Sequence, residues 1–459
     1  MRSLHWLWRM WFWRQSPLII LVRLSYGLLY LKPLQGLYFL VAFLLYNSYI
    51  PYMQRIYLDN AATTPLDTEV KKAMEPYFDD IYGNPNSLHW FGQQARAAVD
   101  WARETIADAI GARFREVIFT GSATEANNLA LRGAINKARP TFTALYGDKP
   151  MKVIVSAIEH DSVLDTARAL EEEGVELVIL PVDVNGFVDV QALADALDER
   201  TVIVSIMYAN NEIGSVQPIT EIAAQIAQFR SRENALPYYP LLHVDAVQAF
   251  QFLDCTVDML GVDMMTLSGH KIYGPKGVGV LYARTMDSVT HMQDDRMHII
   301  SPRMTGGGQE FGMRSGTENV PAIVGFAKAV ELAVARRTEC ADQIARLHSL
   351  FWEQLHGACP EVVLNSPHAG DAPYLPNIIN IHIPGQKGGE LLIALDLQGV
   401  AVSSGSACAA RSATQSHVLR ALGFSDERSR RSLRFSFGRH TTARDIDGCI
   451  AALVRILAA

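Results

Sequence analysis

The 459 residues carry 41 Lys and Arg against 48 Asp and Glu, a net charge of −7, so no overall basic field is present to attract nucleic acid. Half the chain is hydrophobic (49%), enough for a large core and two domains. The five cysteines, Cys255, Cys340, Cys359, Cys408 and Cys449, contain no C-x-x-C pair, which argues against a zinc site or a disulfide framework and for a reducing compartment.

The N-terminus is unlike the rest. Trp6, Trp8, Trp11 and Trp13 sit among Arg2, Arg9 and Arg14, and Pro33 to Gln54 carries no charge. Such a run is long enough to span a bilayer. Three readings stand: a membrane or interfacial anchor, a signal sequence without a small-residue cleavage site, or a start codon placed upstream of Met53. An anchor with its positive charge before the apolar run would send the remainder out of the cytoplasm. The wrong-start reading is favoured, which makes the protein cytoplasmic; the alternative is membrane association through residues 1–54.

Further along, Asp67–Phe78 and His89–Ile110 have helical spacing. Strands are expected at Val117–Thr120, Val153–Ser156, Val175–Leu180, Val202–Met207, Leu241–Asp245, Met264–Ser268 and Val278–Tyr282. The helices between them include Ala126–Lys137, Ser162–Glu173, Val190–Asp198 and Ile219–Arg230. Short Val- and Ile-rich strands alternating with helices predict an α/β fold, a mainly parallel sheet covered on both faces, with ligands at the carboxyl ends of strands. Arg139–Lys149 reads as a loop insertion, and Asp287–Arg303 as a polar, mobile, Met-rich segment. Helices Glu318–Arg336, Ala341–Leu355, Glu390–Gln398 and Thr442–Leu457, with strands Val362–Leu364, Ile378–His382 and Leu433–Phe437, predict a smaller α+β domain. The expected division is 1–54 as an extension, 70–317 as the large domain, and 55–69 with 318–459 as the small one.

Lys271 ends the apolar strand 263–267 within Ser-Gly-His-Lys, just before a turn broken by Gly274, Pro275 and Gly277. It is either a surface-loop lysine or a desolvated amine able to attack a carbonyl. Upstream residues favour the second reading, because they are those pyridoxal phosphate (PLP) needs. Asp245 at a strand end supplies a carboxylate for a pyridinium nitrogen, with Gln248 one turn further on. The run Phe119 to Asn128 supplies a Gly turn, hydroxyls and a helix start for a phosphate. Glu159-His160-Asp161, after another strand, supplies an aromatic lid. Cys408 lies in a run of small residues, Ser403 to Thr414, which predicts a mobile loop rather than a packed core. The other four cysteines read as structural.

Asp59-Asn60-Ala61-Ala62-Thr63-Thr64-Pro65, Gly83-Asn84-Pro85, Ala123-Thr124-Glu125, Glu159-His160, Asn210-Asn211-Glu212-Ile213-Gly214, His243-Val244-Asp245, Ser268-Gly269-His270-Lys271, Gly312-Met313-Arg314-Ser315-Gly316-Thr317 and Ser403-Ser404-Gly405-Ser406-Ala407-Cys408 occur in that order. From about Arg55 onward the sequence closely resembles the IscS/NifS-type cysteine desulfurases, fold-type I PLP enzymes of the class-V aminotransferase family. The resemblance implies a seven-stranded large domain and a homodimer. It also implies that L-cysteine is converted to alanine, leaving a Cys408 persulfide for a sulfur acceptor such as an iron–sulfur scaffold or a tRNA-thiolation protein. Lys271 is then the Schiff-base lysine. Asp245 faces the ring nitrogen, Gln248 the ring oxygen, and His160, a catalytic residue in this reading, stacks on the ring face and assists proton transfer. Ala123, Thr124, Ser268 and His270 bind phosphate, Asn211 lies by cofactor and substrate, and Thr317 reaches the partner subunit's phosphate. Arg434 binds the substrate carboxylate, with an internal salt bridge as its alternative. Asn84 helps bind substrate or simply forms a turn. Cys408 carries sulfur and is able to ligate a transient iron–sulfur cluster; no resident metal is implied. Competing readings are a selenocysteine lyase, a related PLP lyase, and a membrane-tethered homologue without catalysis.

Overall fold

The computed structural model describes residues 21–24, 27–30, 55–232, 238–285, 298–367, 373–404 and 415–458. Cys408, most of the 1–54 extension and residues 286–297 therefore lie outside the described residues. The chain forms two compact units, Met1–Arg55 and Ile56–Ala459. In chain order the strands are β1 (Leu21–Leu24), β2 (Gly27–Tyr30), β3 (Ile56–Tyr57), β4 (Val117–Thr120), β5 (Lys152–Ser156), β6 (Glu176–Leu180), β7 (Thr201–Ser205), β8 (Leu241–Asp245), β9 (Met264–Ser268), β10 (Gly279–Ala283), β11 (Val363–Leu364), β12 (Ile378–His382), β13 (Val400–Ala401) and β14 (Ser432–Ser436). In the first unit β1 and β2 pair antiparallel. Among the described residues no helix is long and apolar enough to cross a membrane.

The second unit is built on a seven-stranded sheet of order β4-β10-β9-β8-β7-β5-β6, in which β10 alone runs against its neighbours. Alternate side chains feed two cores. Val117, Phe119, Ile154, Val204, Leu242 and Val244 belong to one. Ile118, Val153, Val155, Ile203 and Leu241 belong to the other, with Phe142 and Leu164 from the helices above them. A sheet buried on both sides needs strands without a polar face, which is how these read. β11-β12-β14 form a separate antiparallel sheet. Residues 56–60 reach it: β3 pairs parallel with β13, and Asn60 N–H bonds Ser436 O at 3.2 Å.

Helices differ from expectation where proline and burial compete. Pro76 splits the segment expected as one helix into Thr68–Met74 and Pro76–Asp79, with Pro76 in the first turn, where its missing N–H costs nothing. Pro140 does the opposite. The segment read as a loop, 139–149, is helical to Tyr146, in one helix from Ala123. Phe142 is buried in the second core and its ring lies 4.9 Å from that of Tyr146, which offsets the lost hydrogen bond. Residues 298–303, read as part of a mobile segment, hold Ile299 and Ile300 in that same core.

A buried ion pair ties this body together. Arg103, 1% exposed, bonds both oxygens of Glu310 at 2.7 Å, lies over the rings of Phe119 and Phe311, and also donates to Val117 O. Glu310 accepts the Phe119 N–H at 2.8 Å as well. Glu310 and Phe311 have φ of 49° and 56°, so the pair holds strained backbone. Glu310→Ala strands the guanidinium; the expected loss is about 3–5 kcal/mol of stability, measured by denaturant unfolding.

Candidate active site

Five strands end in Thr120, Ser156, Ser205, Asp245 and Ser268, at the carboxyl edge of the sheet. Above this edge lies a cavity of about 490 Å³. Its lining includes Ala123, Thr124, His160, Asn211, Asp245, Gln248, Ser268, His270, Lys271 and Arg434. Ten of the residues singled out in the sequence are thus brought to one space from six separate stretches of chain. Asn84 and Thr317 are not on that lining. Asn84 Oδ1 instead accepts the Asn86 N–H at 2.9 Å, a turn contact, and Thr317 is exposed.

Lys271 follows β9 through a single 3-10 turn, Gly269–Lys271. Its Nζ donates to Ala61 O at 2.6 Å and Ala62 O at 2.8 Å, so it is no surface-loop lysine. The segment 59–67 braces this turn: Thr64 N–H donates to His270 O, Tyr273 N–H to Thr64 Oγ1, and Asp67 N–H to Tyr273 O. Tyr273 has φ 66°, and it is kept there by the Arg439 N–H to its Oη at 2.6 Å and by the Arg439 guanidinium 3.8 Å from its ring. Gly438 permits this, since a Cβ there would stand 2.6 Å from Tyr273 Oη.

Asp245, 6% exposed, is oriented by Asn127 Nδ2 at 2.8 Å on Oδ2 and by the Val247 N–H at 3.0 Å on Oδ1. At the other end of the cavity Ser122 caps the helix Ala123–Tyr146, accepting the Glu125 N–H on its side chain. The turn lies directly on β10, because Gly279 has no Cβ: one would meet Ser122 C at 2.6 Å. Burial, with the charges of Lys271 and Lys276, pushes His270 down to about 4, so its ring is neutral at pH 7. Its Nδ1 lies 3.1 Å from Thr63 Oγ1.

Arg434 makes the internal salt bridge that was its alternative reading. It lines the cavity, but its guanidinium already bonds Asp59 Oδ1 at 2.7 Å and Asn211 O at 2.8 Å, while its Nε has no partner among the described residues. Its backbone also pairs with Ser403 in both directions, at 2.7 and 3.1 Å. Beyond the 405–414 segment, Ser416 Oγ donates to Glu212 Oε2 at 2.6 Å and His417 Nε2 to Glu159 O at 2.9 Å. The two roots of the segment carrying Cys408 are thus fixed at Arg434 and beside His160.

Glu159 is fully buried. Burial pushes its carboxyl up to about 8, against hydrogen bonds from Ser156 Oγ and Met207 N–H that favour the anion. Because this lies above its ordinary 4.5, the stability the protonated group brings is complete below that value and is lost as pH rises through 8. Glu159→Gln keeps the acceptor and cannot ionise. It should gain on the wild type by up to about 1.4 kcal/mol per pH unit across that window, read from unfolding at pH 5 and pH 8.

Ala61, Ala62, Asn127, Ser162 and Lys276 were not singled out for the site. The first three stand inside quoted motifs, but nothing in the sequence aims a backbone carbonyl at a lysine or an amide at a carboxylate. Ser162 and Lys276 carry no signal at all.

Residues 56–448 match the family described as Aminotransferase class-V. "Cysteine desulfurase IscS" of Dictyoglomus turgidum is 40% identical over 404 residues, 88% of this chain and 95% of that protein. Among solved structures, a "NIFS-LIKE PROTEIN" superposes with TM-score 0.76 at 33% identity, covering 88% of this chain and all of the other. "SspA in complex with cysteine" superposes with TM-score 0.70 at 34% identity, covering 84% and 100%. Extending over nearly the whole second unit, these likenesses agree with the arrangement of lysine, aspartate and helix terminus on one strand edge: the chain belongs to the class-V aminotransferase family, in its IscS/NifS-like cysteine desulfurase branch.

Proposed function

We propose that this protein takes sulfur from L-cysteine, releasing L-alanine and leaving a persulfide on Cys408, with PLP as its coenzyme. The observation that carries the reading is the cavity itself, where a lysine amine, a buried strand-end carboxylate and the start of a long helix line one space. The residues fit the coenzyme. Lys271 would bind its aldehyde, Asp245 its ring nitrogen, Gln248 its ring oxygen and His160 its ring face. The N–H groups of Ala123 and Thr124 suit a phosphate, with Ser268 and a neutral His270 completing the cradle. When bound, PLP supplies an electron sink for the substrate carbon that loses a proton.

The chain's own groups do the rest. Arg434 lines the cavity and would meet the substrate carboxylate there, sharing the guanidinium that Asp59 Oδ1 and Asn211 O now hold. Asn211 lies beside it, its carbonyl bonded to the same guanidinium. Lys271 takes the α-proton and returns protons to carbon. The Cys408 thiolate attacks the substrate sulfur. The carbon–sulfur bond breaks with its electron pair left on carbon, which is protonated as alanine forms, while the sulfur stays on Cys408. Reach permits this: Cys408 stands five positions after Ser403, about 17 Å of extended chain from a residue bonded to Arg434. An iron–sulfur scaffold or a tRNA-thiolation protein then accepts the sulfur.

A homodimer is part of the proposal. Phe78, Tyr82, Leu88, Trp90 and Phe91 form an exposed apolar stretch, Leu88 being 91% exposed. Thr317 is near it, because the adjacent Glu318 accepts from Asn86 Nδ2 at 3.1 Å, and so Thr317 is available to a second copy rather than to its own cavity. Trp90→Glu should yield monomers in sedimentation and shed coenzyme on dilution. The full chain, incubated with PLP and dithiothreitol, is expected to release alanine and sulfide from L-cysteine in equal amounts. No alanine from L-cysteine sinks the reading; release from selenocysteine alone would make it a selenocysteine lyase.

A further inference from the structure

Asn127 and Ser162, which the steps above do not use, link the Asp245 carboxylate to His160 in a hydrogen-bonded chain. Asn127, fully buried, donates through Nδ2 to Asp245 Oδ2 at 2.8 Å and to Ser162 Oγ at 2.8 Å. Ser162 Oγ in turn lies 2.9 Å from His160 Nδ1, and the Ser162 backbone N–H reaches that same nitrogen at 3.1 Å. His160 is in effect the cap of the helix Asp161–Glu172, with Nδ1 as the capping acceptor.

The donor inventory sets the directions. A carboxylate only accepts, so the Asn127 amide must turn its NH₂ toward Asp245, and that group also faces Ser162. Ser162 Oγ accepts there and has one proton left to give, which goes to His160. A backbone N–H can only donate. His160 Nδ1 therefore receives two donors and holds no proton of its own, and in the neutral ring the proton sits on Nε2. Nε2 has no partner among the described residues, and His160 lines the cavity.

We propose that Ser162 and Asn127 are positioning residues that lock His160 in the Nε2–H tautomer and tie its orientation to the Asp245 carboxylate. The ring then meets the bound amino acid with an N–H and not a lone pair. It donates a hydrogen bond, and removal of the α-proton falls to Lys271 alone. This inference rests on the desulfurase reading for its catalytic consequence, but not for the tautomer.

The test is ¹⁵N-histidine NMR on the full chain, with the His160 signals identified by their loss in His160→Gln. The expected spectrum has Nδ1 unprotonated and Nε2 protonated. Ser162→Ala is expected to lower kcat about tenfold with KM unchanged, and Ser162→Thr, which keeps the hydroxyl, to stay within about twofold of wild type. A proton found on Nδ1 in the wild type overturns the proposal whatever the activity. So does a Ser162→Ala variant, folded by circular dichroism, that turns over at the wild-type rate. A wild type making no alanine defeats the functional reading instead and leaves the spectrum to decide the tautomer.

Discussion

Lys271→Ala should abolish conversion of L-cysteine, by about a thousandfold or more, and the purified protein should lack the coenzyme's absorbance band. Two hydrogen bonds of the amine go to the Ala61 and Ala62 carbonyls, which border the cavity, so water can replace the side chain at both. The turn around it is held by other contacts: His270 O accepts from Thr64, the Tyr273 N–H reaches Thr64 Oγ1, and Arg439 covers the Tyr273 ring. The unfolding midpoint should therefore move little while turnover disappears. Lys271→Arg should fail as well, because a guanidinium neither forms the imine nor shuttles the proton. Turnover by Lys271→Ala at near wild-type rate would remove this lysine from the reaction.

Cys408→Ser gives the second large effect, and a different one. The absorbance band should persist and respond to added L-cysteine, while alanine and sulfide release falls by about a thousandfold or more. The other cysteines offer no substitute. Cys255, Cys340, Cys359 and Cys449 are all buried, and burial raises each thiol above its ordinary value, Cys255 to about 12. Burial thus favours the neutral thiol in each and weakens it as a nucleophile toward sulfur. Sustained sulfide release from Cys408→Ser would transfer the carrier role elsewhere and undo the elimination.

Much of this architecture could be read from the chain alone. Strands such as Leu241–Asp245 and Met264–Ser268 are short, mostly apolar runs with a polar end, which suits burial on both faces; the one interior polar residue of each, His243 and Thr266, pairs with the other at 3.0 Å. Errors arose where two local rules pulled against each other. Pro140 and its polar neighbours argued for a loop, but a helix ran through them because Phe142 had a core to enter. Glu75-Pro76 divided a helix whose periodicity was continuous. The short helices His417–Ala421 and Asp426–Arg430 went unread, each being little more than one turn behind a serine cap.

The sequence by itself determined the family and most of the order of strands and helices, and it singled out Lys271, Asp245, His160 and Cys408 for the proposed chemistry. These follow from local pattern and residue type, which folding does not alter. Only the tertiary structure decided how the groups are held: the Ala61 and Ala62 carbonyls on Lys271, Asp59 on Arg434, the Asn127–Ser162 chain behind His160, and Thr317 away from its own cavity. Apart from His160–Ser162, two positions apart, those contacts join residues far apart in the chain, several of them through backbone atoms that every residue type shares. Hydrogen-bond direction depends on where such atoms meet, and no local pattern encodes that meeting.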